Sequence, residues 1–137
     1  MAEPLLVPVE ILETLSAICL ALPEVYEEPA WIGMRWRIRT RTIAHVATID
    51  LDAPGAFARA VDATGIVTTM TFRAPEEELE VLAQLGHPFY RPGWGANVVG
   101  LLLDASTDWT EVAELVTDSF RIQAPKRLAA RLDESAQ

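Results

Sequence analysis

The sequence predicts an α+β fold: a two-layer sandwich with helices packed on one face of an antiparallel sheet and the other face partly open. Apolar residues recur at helical spacing near both ends of the chain, and runs of strand length lie between them. Two of these runs are adjacent and predict a hairpin. With 137 residues the chain has the size of one domain, so we expect 1–137 to form a single domain.

The amino-terminal half is predicted to contain a helix, the hairpin and a short second helix. Apolar side chains recur every three or four residues from Val9 until Pro23 ends the helix. Residues 31–39 alternate in polarity and residues 43–49 are rich in β-branched side chains, so the two runs should pair. Residues 52–62 predict a short helix, because apolar positions lie four apart and a glycine follows.

The carboxy-terminal half is predicted to add two strands, three helices and one long loop. Residues 66–72 alternate along the chain, which predicts a strand with solvent on one side. Residues 98–103 are nearly all apolar, which predicts the most buried strand. Prolines and glycines interrupt residues 87–97, which therefore form a predicted loop. The helices begin at a proline or at an N-cap aspartate and cover 75–85, 108–120 and 125–132.

The composition of the chain bears on which partners the protein can bind and on where in the cell we expect it. The net charge of -9 weakens any general affinity for polyanions, because the long-range field repels them. The single cysteine, Cys19, excludes an intrachain disulfide, and the first residues lack a signal-peptide pattern, so we expect a cytoplasmic protein. Apolar runs are far shorter than the ~20 residues of a membrane-spanning helix, so we expect no membrane partner.

The sequence contains no recognisable catalytic or metal-binding constellation. Cys19 lies on the apolar stripe of the first predicted helix, where a buried thiol behaves as a small hydrophobic residue. The two histidines, His45 and His87, have no companion at ligand spacing, so we predict no metal site. Neither standard glycine-rich phosphate loop occurs. We therefore expect a protein that is not an enzyme and that carries no cofactor.

The distribution of charge is more informative than its sum. Alternate positions of the first predicted strand and its continuation carry a row of arginines, which are Arg35, Arg37, Arg39 and Arg41. Residues two apart in a strand share a face, so Arg35, Arg37 and Arg39 should project from one side of the sheet, with Arg41 beside them if the strand continues past Thr40. Guanidinium groups bind phosphate oxygens bidentately, which makes the row a candidate nucleic-acid-binding site that Arg73, Lys126 and Arg127 would extend. The alternative is an ordinary solvated face, neutralised by nearby carboxylates.

A second candidate site is the loop at 87–95, which combines a titratable group, a cation and aromatic rings. Its candidate ligand-binding residues are His87, Tyr90, Arg91 and Trp94. A loop of this composition can line a small-ligand pocket. The alternative is that its rings plug one edge of the core while prolines and glycines set the turns.

Two groups of short motifs occur along the chain. The first group is 22–25 (Leu-Pro-Glu-Val), 28–31 (Glu-Pro-Ala-Trp), 36–38 (Trp-Arg-Ile) and 43–46 (Ile-Ala-His-Val). The second is Trp94, 103–104 (Leu-Asp), 108–112 (Asp-Trp-Thr-Glu-Val), 118–120 (Asp-Ser-Phe) and 124–128 (Ala-Pro-Lys-Arg-Leu). In this order the motifs resemble the MmcQ/YjbR family. One position departs from the family's pattern, because Phe120 stands where a tyrosine usually follows the serine.

The resemblance implies a compact α+β fold like that of secretion chaperones and a nucleic-acid-binding role, which in the family is inferred mainly from shape. The first hypothesis is therefore a DNA-binding protein that uses the basic strand face. The alternative is a non-catalytic module that binds a small molecule or a protein through loop 87–95 or the open sheet face. For either function we expect a monomer or a homodimer.

Overall fold

The structure is a computed structural model that describes residues 5–135, and within them six strands form one antiparallel sheet in the order β1-β2-β3-β4-β6-β5. The strands are β1 (Tyr26–Pro29), β2 (Met34–Ile38), β3 (Arg41–Asp50), β4 (Ile66–Arg73), β5 (Phe89–Tyr90) and β6 (Val98–Leu103). The helices are α1 (Val9–Leu20), α2 (Ala56–Ala60), α3 (Glu76–Leu85), α4 (Trp109–Gln123) and α5 (Lys126–Ser135). In this part of the chain no helix is long and apolar enough to cross a membrane.

The predicted α+β fold is confirmed, and the sheet gains two strands that the sequence did not indicate. β1 consists of Tyr26, two glutamates and a proline, a composition poor in strand formers, and it is a strand because it pairs with β2 at the sheet edge. β5 has two residues inside the predicted loop and pairs with β6. The prediction that 98–103 is deeply buried is correct, since all six residues of β6 are buried.

One face of the sheet carries the main hydrophobic core. Met70 and Phe72 of β4 point from this face into a cluster that includes residues of α1 and α4. Trp36 of β2 and Phe120 of α4 are the largest fully buried side chains of this cluster. Burial of an aliphatic or phenyl side chain contributes ~1.5–3 kcal/mol, so this cluster holds the helices on the sheet.

The opposite face is half covered, which corrects the expectation that β4 has solvent on one side. Residues of α2 and its flanks pack there against Tyr90 and Leu102, forming a second, smaller cluster. Thr69 points to this side and is 2% exposed. The small helix α2 therefore lies outside the predicted helix layer. The rest of this face, toward β2, is left open by α2.

A buried hydroxyl joins the helix layer to the sheet. Ser119 of α4 is fully buried, and its Oγ donates to the carbonyl of Ile43 at 2.6 Å. The same oxygen accepts the backbone N–H of Arg73 at 2.9 Å. Ile43 is the extra residue of a β-bulge, where the register between β2 and β3 shifts. Ser119 therefore supplies a partner for backbone groups at the bulge and at the end of β4.

We predict that Ser119→Ala lowers the free energy of unfolding by about 2–3 kcal/mol, because two buried backbone groups lose their partner. Urea unfolding followed by circular dichroism measures the change. Thr110→Ala in the first turn of the same helix is the matched control, and as an exposed substitution it should stay within ~0.5 kcal/mol of the wild type. A loss below ~1 kcal/mol in Ser119→Ala would show that other partners replace the hydroxyl.

Candidate ligand-binding groove

The open half of the second sheet face contains a groove of about 310 Å³. Its floor is a row of paired residues across three strands. Arg35 of β2 pairs with His45 of β3, and His45 pairs with Thr71 of β4. Directly paired residues of neighbouring strands share a face, so these three side chains lie side by side. Arg73, two residues beyond Thr71 on β4, also lines the groove.

Two loops bound the groove from opposite sides of this floor. The tip of the β1–β2 hairpin folds over the sheet, where His45 Nε2 donates to the carbonyl of Ile32 at 2.7 Å. This places Trp31 at the groove with its side chain fully exposed. From the β6 side comes Trp94, which packs edge-on against Phe57 of α2 with ring centroids 4.9 Å apart.

The groove is electropositive although the chain is acidic. Its lining includes Arg35, His45 and Arg73, and no carboxylate of residues 5–135 lines it. Arg73 Nη1 donates to the amide oxygen of Asn97 at 2.8 Å, which holds the guanidinium in place but leaves its charge uncompensated. Within the described chain no carboxylate forms an ion pair with Arg73. The groove can therefore hold an anion by hydrogen bonds and charge.

The predicted arginine row is partly neutralised by β1. Arg35 and Arg37 do share the open face, and both form ion pairs with Glu28 Oε1, at 2.6 Å and 3.2 Å. The hydrogen bond from Arg35 is the main cause that lowers the pKa of Glu28 below its ordinary value. Glu28 therefore favours its ionised form, and its single negative charge offsets one of the two positive charges that the arginines would offer to a polyanion.

The row also ends earlier than predicted. Arg39 lies in the β2–β3 turn with φ +56, and its Nη1 is 2.8 Å from Glu24 Oε1. Arg41 pairs with Ile38, a residue of the main core, so it belongs to the helix-facing side of the sheet. The expectation that Arg39 continues the row is therefore wrong, and the condition for Arg41 is not met, because a tight turn ends β2 at Ile38 and interrupts the alternation.

The other predicted basic residues divide between the two sides of the sheet. Arg73 joins Arg35 in the groove. Lys126 and Arg127 begin α5, which packs on the helix layer through the buried Leu128. These two cations therefore do not extend the open face, and a single basic surface through all the predicted residues does not form.

The predicted loop site is dispersed as well. Trp94 lines the groove, and Arg91 lines a small recess on the other side of Trp94 together with Arg59. Tyr90 is buried, with its OH 2.6 Å from Thr69 Oγ1, and burial raises the pKa of Tyr90 to about 12. Its ring covers Gly100, where any side chain would collide with it. His87 is exposed and lies outside the groove.

Sequence reasoning missed three contributors to the groove. The sequence pattern predicts only a strand position for Trp31 and Thr71, and it shows His45 as a histidine without a companion at ligand spacing. The available signal was β-strand alternation, which groups His45 and Thr71 with the polar side of their strands. The pairing of β2, β3 and β4 that aligns these side chains could not be obtained from alternation alone.

Comparison with known proteins supports the resemblance seen in the motifs. Residues 20–122 match the family model named YjbR. The chain belongs to the YjbR family. The fold is also similar to that of a protein from Pseudomonas syringae whose crystal structure was determined by the Northeast Structural Genomics Consortium. The two chains are 15% identical with a TM-score of 0.52, over 74% of this chain and 79% of that one. No curated protein matches the sequence.

The YjbR motifs have structural roles in this chain. The carboxy-terminal motif contains Ser119, the hydroxyl that joins α4 to the sheet, and Phe120, which is fully buried in the main core. The amino-terminal motifs include Glu28, Trp31 and His45, which contribute to the groove or to its charge. The match to the YjbR model therefore covers the groove as well as the core.

The hairpin tip depends on Gly33, which has φ +73 and would place a Cβ 1.8 Å from the carbonyl oxygen of Val46. We predict that Gly33→Ala destabilises the fold by more than about 2 kcal/mol, because the added carbon meets backbone that cannot yield. Gly65→Ala is the matched control. Gly65 has φ +79 but open space around it, so only backbone strain of ~1 kcal/mol applies.

Thermal or urea unfolding of both variants separates the two effects. Equal losses in Gly33→Ala and Gly65→Ala would mean that the hairpin tip moves away from β3 at little cost. In that case the tip of the β1–β2 hairpin, which places Trp31 at the groove, would not be held firmly over the sheet.

Proposed function

We propose that this YjbR family protein is a non-catalytic module that binds a small anionic molecule in the groove on its open sheet face. The proposal rests on the environment of the Arg73 side chain. Its guanidinium is half-buried, is held by the neutral amide of Asn97 and has no carboxylate partner within residues 5–135. A partly desolvated charge without a counterion is unfavourable, so an anion that pairs with it gains binding energy.

The neighbouring groups support an anion of small size. Glu28 contacts Nε and Nη2 of Arg35, a residue that lines the groove, and Nη1 of Arg35 has no hydrogen bond to the described residues. His45 donates through Nε2 to Ile32, so its ring is held at the floor. The groove volume of about 310 Å³ lies at the lower end of the ~300–1,000 Å³ typical of small-molecule sites. These donors suit a carboxylate or a phosphate on a compact molecule.

We predict that inorganic phosphate raises the melting temperature of the wild-type protein at low ionic strength. At ten times its Kd, a ligand of the folded state stabilises by about 1.4 kcal/mol. Arg73→Gln should abolish this stabilisation, since it removes the uncompensated cation. Arg121→Gln is the matched control: it removes the same charge from a guanidinium of α4 that is paired with Asp133, and it should respond like the wild type.

Thermal-shift titration with phosphate and with sulfate measures the effect, and calorimetry gives the Kd. Stabilisation of equal size in Arg73→Gln would locate the anion elsewhere on the molecule. No stabilisation by either anion would contradict an anion-binding groove.

The nucleic-acid hypothesis has less support from the geometry. The two arginines that share the strand face with Arg73 are paired with Glu28, and Lys126 and Arg127 lie in the helix layer. The net charge of -9 adds a repulsive field. We therefore expect the groove to take one small anion in preference to a duplex backbone, which needs several phosphate contacts at once.

Fluorescence anisotropy with a labelled DNA duplex at about 50 and 200 mM salt tests this expectation. We predict no binding by the wild type at either concentration. Glu28→Gln is the informative variant, because it frees Arg35 and Arg37 while leaving Arg73 unchanged. Duplex binding by the wild type that weakens at the higher salt concentration and strengthens in Glu28→Gln would favour a DNA-binding strand face.

Two further expectations from the sequence accompany this proposal. We propose a cytoplasmic location, which rests on the single cysteine and on the lack of a signal-peptide pattern in the first residues. A monomer or a homodimer is proposed as the binding species.

A further inference from the structure

The groove contains two tryptophans in addition to its cations. Trp31 comes from the β1–β2 hairpin and is 100% exposed, whereas Trp94 comes from the loop before β6 and is 38% exposed. Trp31, Ile32 and Trp94 are all exposed and all line the groove, so they place apolar surface beside its cations, and grouped exposed apolar residues mark interaction sites. Both rings are available to a ligand that lies on the sheet.

The orientation of one ring is fixed before any ligand arrives. Trp94 meets Phe57 edge-on at an interplanar angle of 84°, so Phe57 and the second cluster brace it from α2. The position of Trp31 follows from the hairpin tip, which is tied down by the hydrogen bond between His45 and the carbonyl of Ile32. The hydrogen bond sets the backbone beside Trp31, whereas the ring of Trp94 is itself preorganised and favours planar ligands, because little side-chain freedom is lost when a ligand stacks on it.

Cations and indoles occur together in this one groove. Arg35 and Arg73 supply donors for an oxyanion, and Trp31 and Trp94 supply faces for a flat ring. On the far side of Trp94, Arg59 and Arg91 line a recess, and no carboxylate of the described residues lines it. A molecule with a planar aromatic part and a phosphate would use both kinds of contact within a few ångströms.

We propose that the ligand of the groove is a free mononucleotide or a closely similar aromatic phosphate ester. This inference rests on the proposed anion-binding function and adds the aromatic part of the ligand. The base stacks on Trp31 and Trp94, and the phosphate binds at Arg73, next to the free nitrogen of Arg35. A free mononucleotide is favoured over a nucleic-acid strand because the acidic chain repels a polyanion, whereas one phosphate can be compensated locally.

The test compares three probes by heteronuclear NMR of the uniformly ¹⁵N-labelled protein at low ionic strength. The probes are adenosine monophosphate, adenosine, which lacks the phosphate, and ribose 5-phosphate, which lacks the base. The four tryptophans give four indole N–H signals, and two of them are internal controls. Trp36 is buried and donates to Glu27 on the helix-facing side, and Trp109 lines a different cavity.

We expect the nucleotide to shift the indole signals of Trp31 and Trp94 and to leave those of Trp36 and Trp109 unchanged. Adenosine and ribose 5-phosphate should each bind at least about tenfold more weakly, since each loses one kind of contact. Trp31→Ala removes an exposed side chain and should weaken nucleotide binding by about tenfold while leaving the Kd for inorganic phosphate unchanged. Trp109→Phe is the control and should change neither Kd.

The possible failures can be told apart. If ribose 5-phosphate binds as tightly as the nucleotide, or if Trp31→Ala leaves the nucleotide Kd unchanged, the aromatic part of the inference is overturned and the anion-binding function stands. If inorganic phosphate also fails to bind, both the nucleotide inference and the proposed anion-binding function are contradicted. If a single-stranded oligo(dA) binds more tightly than the mononucleotide, the inference of a free mononucleotide is overturned, and the ligand is a nucleic-acid strand.

Discussion

The hydrogen bonds of the Ser119 hydroxyl are the constraint on which the rest of the structure depends. This one oxygen joins α4 to the β-bulge at Ile43 and to the end of β4 at Arg73, and Gln123 Nε2 of α4 adds a bond to the carbonyl of Thr42. A helix packed only by apolar contacts could slide along the sheet, because hydrophobic contacts are not directional. A buried hydrogen bond to two strands sets its position. The same bond fixes the backbone of Arg73, whose side chain then lies in the groove on the opposite face.

Electrostatics in this protein are decided by a few local pairs. Arg35 and Arg37 share one carboxylate partner, Glu28, and Arg39 pairs with Glu24. The arginines that the sequence predicts as phosphate ligands on β2 and in its turn are therefore the ones with carboxylate partners. Arg73 has a neutral amide for its partner, and it keeps a positive charge in a chain whose net charge is -9. A small anion is the simplest partner for such a charge.

The groove is built from segments that are distant in the chain and close in the sheet. The hairpin tip brings Trp31, the strand pairing brings His45 and Thr71, and the loop before β6 brings Trp94. Membership in the YjbR family and the likeness to the Pseudomonas syringae structure describe the scaffold. Proteins that share a fold can have different functions, so the ligand of this protein has to be inferred from the residues that line the groove.

The sequence by itself determined the fold class, the main helices and the most buried strand, because apolar periodicity and capping residues such as Asp108 act locally. It also placed Arg35, Arg73 and Trp94 among the candidate residues. The tertiary structure alone decided which of them meet. Strand pairing aligned Arg35 with His45, and the tight turn at Arg39 ended the arginine row. These outcomes depend on register and on distant carboxylates, which local patterns do not encode.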